Sequence, residues 1–194
     1  MTRLIKLDEA PHAARLAALT PALAAGFEAP FQMLQACHER IGRTLDLLAR
    51  LRAHLAQHGA DEQARQAARD ILRYFDRAAP QHHQDEELHV FPALLAGGDE
   101  QTRALVARLQ QDHVRMDSNW RQARRVLAAV EGGGIGDTDR LDASQEDALA
   151  AFASLYAAHI TAEEQLAYPA ALELLDAPAL SAMGQDMERR RGAA

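Results

Sequence analysis

The sequence predicts an all-α protein: an antiparallel up-down-up-down four-helix bundle with an N-terminal arm and a short C-terminal helix. Three observations carry this expectation. Strand signals are nearly absent, with few β-branched runs, no Asn-Gly hairpin, and a predominance of Ala, Leu, Arg, Gln and Glu, all good helix formers. Apolar residues recur at spacings of three and four in four long blocks. Short links join the blocks, which favours antiparallel neighbours. A chain of 194 residues fits one domain of ordinary size better than two.

Residues 1–28 read as an arm. The first helix runs from about Ala29 to His58 and stops at Gly59, a C-capping residue. The second begins near Asp61, an N-cap followed by Glu62, and reaches about Ala96 before Gly97-Gly98. The third starts near Asp99 and ends by Glu131, ahead of Gly132-Gly133-Gly134. The loop GGGIGDTDR reads as a flexible link, and the fourth helix extends from about Asp142 to Leu175. Asp176 to Pro178 breaks the chain before a short helix that ends near Arg190. The expected organisation is therefore an arm (1–28), a bundle (29–176) and a C-terminal helix with its tail (177–194).

Composition narrows the function. Apolar residues at 48% and charged residues at 25% suit a soluble globular protein. Lys plus Arg total 21 against 28 Asp plus Glu, a formal charge of −7, which argues against a basic face for nucleic acid or anionic lipid. The lone Cys37 cannot form an internal disulfide or build a Cys-rich metal site. No stretch reaches the ~18–20 apolar residues of a membrane span. Asp8, Glu9, His12 and Arg15 interrupt what a signal peptide would need, so the chain is expected to be cytoplasmic. Nine His then stand out.

Each block has a core-facing stripe. The first carries Phe31, Leu34, His38, Ile41, Leu45 and Leu48; the second Leu72, Phe75, Ala79, His82 and Glu86, with Ala93 beyond. The third carries Leu105, Leu109, His113, Met116, Trp120 and Leu127; the fourth Phe152, Tyr156, His159, Glu163, Leu166 and Ala170. Every stripe has one His in mid-helix, and two add a Glu one turn later. A single core His is usually just hydrogen-bonded to a neighbour. An ionised Glu is too costly to bury without partners. Four imidazoles and two carboxylates meeting in an apolar interior are best compensated by cations. Six donors suffice for two metals that share both carboxylates.

Internal repetition points the same way. His82 and His159 each stand ten residues before a Pro, Pro92 and Pro169, and Glu86 and Glu163 each stand six before it. Leu34, His38 and Ile41 match Leu109, His113 and Met116 at an offset of 75, while the second and fourth helices match at 77. A pseudo-twofold bundle would put a two-metal site on its axis. The stretch QHHQDEELHVFP offers His82 with Glu86 and His83 with Glu87; the repeat and the helical angle both select the first pair.

One His on the first helix, His-x-x-x-Glu on the second, one His on the third and His-x-x-x-Glu on the fourth resembles the hemerythrin-like (HHE cation-binding) family. The phrases CHERI, HHQDEELHVFP, QQDHVRM and HITAEEQLAYP carry the likeness over roughly residues 30–175. The resemblance implies a four-helix bundle holding a non-haem di-iron centre with an oxo or hydroxo bridge. It implies His38, His82, Glu86, His113, His159 and Glu163 as ligands, both Glu bridging, with Mn or Zn as alternative metals. Two features depart from the oxygen carriers of that family: Asp117 stands where their third helix has a second His, and the last carboxylate follows its His by four residues rather than five. Both features are closer to the bacterial iron-repair branch, whose usual N-terminal cysteine pair the arm lacks.

The remaining candidates have plainer readings. His89 is a surface-edge residue ahead of an outer partner or extra ligand; Asp117 is a solvent or outer-sphere residue; Tyr156 is core. His54 and His58 suit a helix C-terminus, His12 lies in the arm, Cys37 is a small buried residue, and Arg189-Arg190-Arg191 is a solvated tail. The expected partner is a small diatomic ligand, O₂ or NO, or peroxide, with neither nucleic acid nor membrane. The competing class is a sensor or structural metal bundle without turnover, or an iron-delivery protein.

Overall fold

A computed structural model describes residues 26–136 and 139–192. Among them the structure is all-helical, with no strand, in five helical runs. Helix α1 is Pro30–His58. Run α2 (62–97) comprises Glu62–Asp85, one π-helical turn over Glu86–Val90, and Phe91–Gly97. Helix α3 is Glu100–Glu131. Run α4 (143–174) comprises Ala143–Ser154, Tyr156–Ala162, a second π-helical turn over Glu163–Ala167, and Tyr168–Leu174. Helix α5 is Ala177–Arg190.

Local chemistry fixes the ends. Asp61, Asp99, Asp142 and Asp176 cap α2 to α5, each accepting a backbone N–H from the first turn, and Asp142 with Gln145 forms a full capping box. Helix α1 starts on Pro30, whose fixed φ suits the first turn. It ends at Gly59, which takes φ 77°, a conformation costly for residues with a Cβ.

The core has two apolar clusters with the polar centre between them. One gathers Ile41, Leu48, Leu55, Ile71, Phe75, Met116, Leu127, Phe152 and Tyr156. The other gathers Phe31, Leu34, Val90, Phe91, Leu94, Leu109, Ala167, Tyr168, Met183 and Met187. Helices α1 and α3 begin in the second cluster and end in the first, whereas α2 and α4 run from the first to the second. Helix α5 adds Met183 and Met187 and lies so close to the chain before α1 that a Cβ on Gly184 would strike the Phe27 carbonyl oxygen at 1.9 Å.

The stripes hold except beyond the two Glu. Leu166 is 55% exposed, while Ala167 and Ala171 are fully buried; likewise Leu94 rather than Ala93 enters the core. The expected stripe is therefore one residue out of phase there. Each π turn inserts one residue into the α repeat, with the Phe91 and Tyr168 N–H groups reaching back five residues to the Glu86 and Glu163 carbonyls. Pro92 and Pro169 follow directly. A proline in a helix interior lacks the donor for a carbonyl four residues back and collides with it, and a widened turn relieves both problems.

Candidate metal centre

Four helical runs deliver side chains to one level of the core. His38 comes from α1, His82 and Glu86 from α2, His113 from α3, and His159 and Glu163 from α4, and all six are buried. Glu86 and Glu163 are each the first residue of a π turn, so the widened backbone lies just above both carboxylates.

The carboxylates straddle two groups of imidazoles. Glu86 places Oε1 3.4 Å from His82 Nε2 and 4.0 Å from His38 Nε2, and Oε2 3.4 Å from His113 Nε2. Glu163 places Oε2 3.1 Å from His38 Nε2, and Oε1 2.9 Å from His159 Nε2 and 3.7 Å from His113 Nε2. The Nε2 atoms of His113 and His159 stand 3.1 Å apart.

Further carboxylates fix the outer edges of two rings. His38 Nδ1 donates to Glu164 Oε1 at 2.9 Å, and His113 Nδ1 donates to Glu87 Oε1 at 3.0 Å. These bonds keep a proton on Nδ1 and turn Nε2 inward, so that Nε2 offers its lone pair once a cation displaces the proton it also carries in the metal-free chain, the usual carboxylate–histidine–metal arrangement. Glu87 and Glu164 each directly follow an inner Glu, so each His-x-x-x-Glu-Glu segment supplies an inner donor and a clamp for the opposite half.

The charge balance calls for cations. Burial acts to lower the His38 pKa, but the carboxylates of Glu163 and Glu164 outweigh it and raise it to about 9; Glu163 and Glu86 do the same for His113, to about 10. In the metal-free chain these two imidazoles keep protons as counter-charges. Burial and the neighbouring imidazole His38 hold His82 neutral, well below its ordinary value. Burial and the charge of Glu163 raise the Glu86 pKa, whereas Glu163, which burial would raise, is lowered by His113, His159 and His38.

The buried polar atoms lacking a hydrogen-bond partner among the described residues concentrate here: His82 Nδ1, Glu86 Oε2, His159 Nδ1 and both Glu163 oxygens, with Arg190 Nη1 outside the centre. Buried polar groups are normally satisfied. Three carboxylate oxygens left without hydrogen bonds among inward-facing Nε2 atoms fit divalent transition-metal ions, while the two orphaned Nδ1 atoms lie on the outer edges of their rings. Either of two sets, His38, His82, Glu86 and Glu163 or His83, His113 and His159, can place one donor atom per residue within 4.8 Å of all the others.

The second set includes a residue that the repeat argues against. His83 does not turn away: its ring stacks on His113 with centroids 4.1 Å apart. Sequence reasoning also missed Tyr168, which donates to Glu86 Oε1 at 2.5 Å and lies 3.3 Å from His38 Nε2. Burial and the nearby carboxylates keep this phenol protonated, well above its ordinary pKa. The extra residue of the π turn rotates Tyr168 inward, and the signal was Pro169 inside a helical pattern.

Elsewhere the plain readings meet mixed outcomes. His89 bonds to Asp186 at 2.9 Å, away from the centre. Asp117 is exposed and pairs with Arg121; Tyr156 packs against Phe75 and Phe152. His54 bonds to the capping Asp61, His58 is exposed, and Cys37 is half-buried rather than buried. His12 lies outside the described residues. The C-terminal arginines are not all a solvated tail. Arg190 and Arg191 reach the fully buried Asp85, beside Glu86, at 2.6 and 2.5 Å, while Arg189 is exposed and bonds to Asp186. That pairing joins residues more than a hundred apart, beyond any local pattern.

Comparison with known proteins fits this geometry. A Haemophilus influenzae protein, described only as an uncharacterized protein, is 33% identical over 173 residues, covering 89% of this chain and 96% of that protein. The hemerythrin HHE cation binding domain matches residues 14–171, which include all six of the buried His and Glu residues of the centre. A buried imidazole–carboxylate centre on four helical runs and a match across most of the chain lead to one conclusion: the chain belongs to the hemerythrin HHE cation-binding family.

Proposed function

We propose that this chain is a non-haem di-iron protein that binds or reacts with O₂, NO or peroxide. His38, His82, Glu86, His113, His159 and Glu163 are its ligands. The observation that carries the reading is the two-sidedness of both carboxylates, each offering one oxygen to the His38 side and the other to the His113 side. A chelate for a single ion has no use for that division; two ions sharing the carboxylates do. The first four helical runs form an antiparallel up-down-up-down bundle over residues 29–176, and α5 closes one end.

Bound iron supplies redox electrons and an open coordination position for a small ligand. The protein supplies the rest. Glu87 and Glu164 hold the His113 and His38 tautomers. The Tyr168 hydroxyl donates a hydrogen bond inside the centre. Leu34, Leu109, Met116 and Phe91, all essentially inaccessible, exclude bulk water and slow the loss of a reactive species. No described helix is long and apolar enough to cross a membrane.

Metal analysis tests this directly. Purified protein should hold about two irons per chain and show ligand-to-metal absorption in the near ultraviolet. Protein that takes up no iron or manganese would refute it. A second reading, a sensor without turnover, draws on the ion pairs from Asp85 to Arg190 and Arg191, which couple the backbone beside Glu86 to α5. Stopped-flow mixing of the reduced protein with O₂, NO and peroxide separates the two. Peroxide consumption favours reaction; a fast reversible spectral change without consumption favours sensing.

A further inference from the structure

Among the described helical runs, α5 alone brings no donor to the centre, yet it is tied to it at two points. Met183 and Met187 lie in the apolar cluster of Tyr168, whose hydroxyl bonds to Glu86. At its end, Arg190 and Arg191 close on Asp85, a fully buried carboxylate one residue before Glu86. We propose that α5 is a releasable strap, held shut by these two arginines, whose opening lets metal ions pass to and from the centre. The proposal rests on the metal-centre reading above and adds how that centre is loaded.

The latch is directional. Arg191 grips Asp85 with both Nη groups, Nη1 3.2 Å from Oδ1 and Nη2 2.5 Å from Oδ2, and Arg190 Nη2 adds a bond to Oδ1 at 2.6 Å. Forked, charge-assisted bonds of this kind are the strong ones. A second tie runs through Asp186 of α5, whose Oδ2 meets Arg190 Nε at 2.7 Å and His89 Nε2 at 2.9 Å. Asp85 directly precedes the π turn and His89 lies within it, so both ties end on the backbone that carries Glu86.

The rest of the attachment is slight. Of the fourteen residues of α5, Met183, Gly184 and Met187 are the buried ones, and a helix of this length is marginal by itself. The arginines therefore carry a large share of the grip.

The centre, by contrast, is sealed. Its six inner donors are each at most 7% exposed, so an ion reaches them only when part of the cover moves. Parting α1 to α4 would pull the donors from one another, whereas α5 can lift without moving any of them. Lifting it takes Met183 and Met187 off Phe31, Leu34 and Tyr168, the apolar cover beside His38. It also frees the Asp85 carboxylate, a negative charge that draws a cation toward Glu86. The other half has Ala162 at the position of Asp85 and nothing there for an arginine to latch.

Stopped-flow cobalt(II) uptake by the metal-free full chain, and cobalt loss to excess EDTA, read passage in both directions; amide hydrogen exchange reads the strap itself. Wild-type amides of 177–190 should exchange through an opening of their own, ahead of those in the bundle core. Two unlike variants should widen that opening. Arg190→Gln combined with Arg191→Gln removes the latch. Gly184→Ala keeps both arginines but forces α5 away from the Phe27 carbonyl oxygen, 1.9 Å from the added Cβ. In the arginine variant uptake and loss should both quicken at least about tenfold, the change in an opening equilibrium on losing one charge-assisted hydrogen bond, while their ratio, the affinity, holds. Gly184→Ala should move both rates the same way, and Arg121→Gln, which breaks an exposed pair with Asp117, should move neither. Should the arginine variant not fold, Gly184→Ala and the wild-type exchange decide. Loss that quickens while uptake does not would make Asp85 a support for Glu86 and overturn the proposal. Unaltered rates, or α5 amides that exchange only with the whole bundle, overturn it too and leave the metal-centre reading standing. A wild type that takes up no cobalt overturns that reading itself.

Discussion

The two halves of the molecule, α1 with α2 and α3 with α4, are built to nearly the same plan. His38 answers to His113, His82 to His159, Glu86 to Glu163 and Glu87 to Glu164, and each half has its own π turn followed by proline. Three of their differences around the centre stand out. Phe91 faces Tyr168, His83 faces Ile160, and the buried Asp85, tied to α5, faces Ala162. The shared positions hold and orient charge, which a twofold centre requires equally on both sides. The unshared ones add an imidazole stacked on His113, a hydroxyl and a structural tie, and these make the two ends of the centre unequal.

Substitutions can break the shared plan or sharpen the differences. The largest effect is expected from removing a shared charge. Glu163→Gln, and equally Glu86→Gln, should reduce metal content from two ions per chain to one or none, measured by elemental analysis of folded protein. A bundle with stray histidines would show no such change.

Proton competition comes next, since His38 and His113 hold protons up to about pH 9 and 10 in the metal-free chain. Metal must displace both, so affinity should climb with pH, by up to about a hundredfold per unit around neutrality if the two protons leave together. Isothermal titration in buffers of different ionisation enthalpy counts the protons released. The sign for stability is opposite. A folded pKa above the unfolded value of about 6.5 gives a contribution fully present below pH 6.5, lost as pH rises through 9 and 10. Metal-free protein should therefore unfold at lower denaturant as pH is raised across that window.

Asp85→Ala copies the second half at its Ala162 position. It removes the buried partner of Arg191 and one of the two carboxylates that Arg190 pairs with, and should cost about 1.5–3 kcal/mol in chemical unfolding. The smallest effect is expected from Tyr168→Phe, which copies Phe91. Loss of the hydrogen bond to Glu86 should cost about 1–3 kcal/mol in the metal-free protein. A stability unchanged within a few tenths of a kcal/mol would show that the hydroxyl contributes nothing there.

Much of this was legible in the sequence. Helix ends followed from Asp caps and from Gly59, and the six inner side chains lay on stripes that a 3.6-residue period reveals. The repeat selects His82 and Glu86, which the packed chain buries beside His38 and Glu163. It is silent on His83, because a repeat identifies what the halves share and not what one half adds. Beyond Glu86 and Glu163 the stripe slipped by one residue. A regular period has no means of representing a π turn, although Pro92 and Pro169 marked both places. The helical angle favours Glu86 over Glu87, and no stripe includes Glu164, yet an edge of one helix is where a ring from another arrives.

The sequence by itself determined the helices, their polarity of charge and the buried ring of imidazole and carboxylate, because burial and periodicity are properties of neighbouring residues. Tertiary structure alone decided which oxygen faces which ring, that Tyr168 enters the centre, that His83 joins His113 and His159, and that the last arginines close on Asp85. Those outcomes depend on distances between segments tens of residues apart and on one-residue changes of helical phase, which only the packed chain fixes.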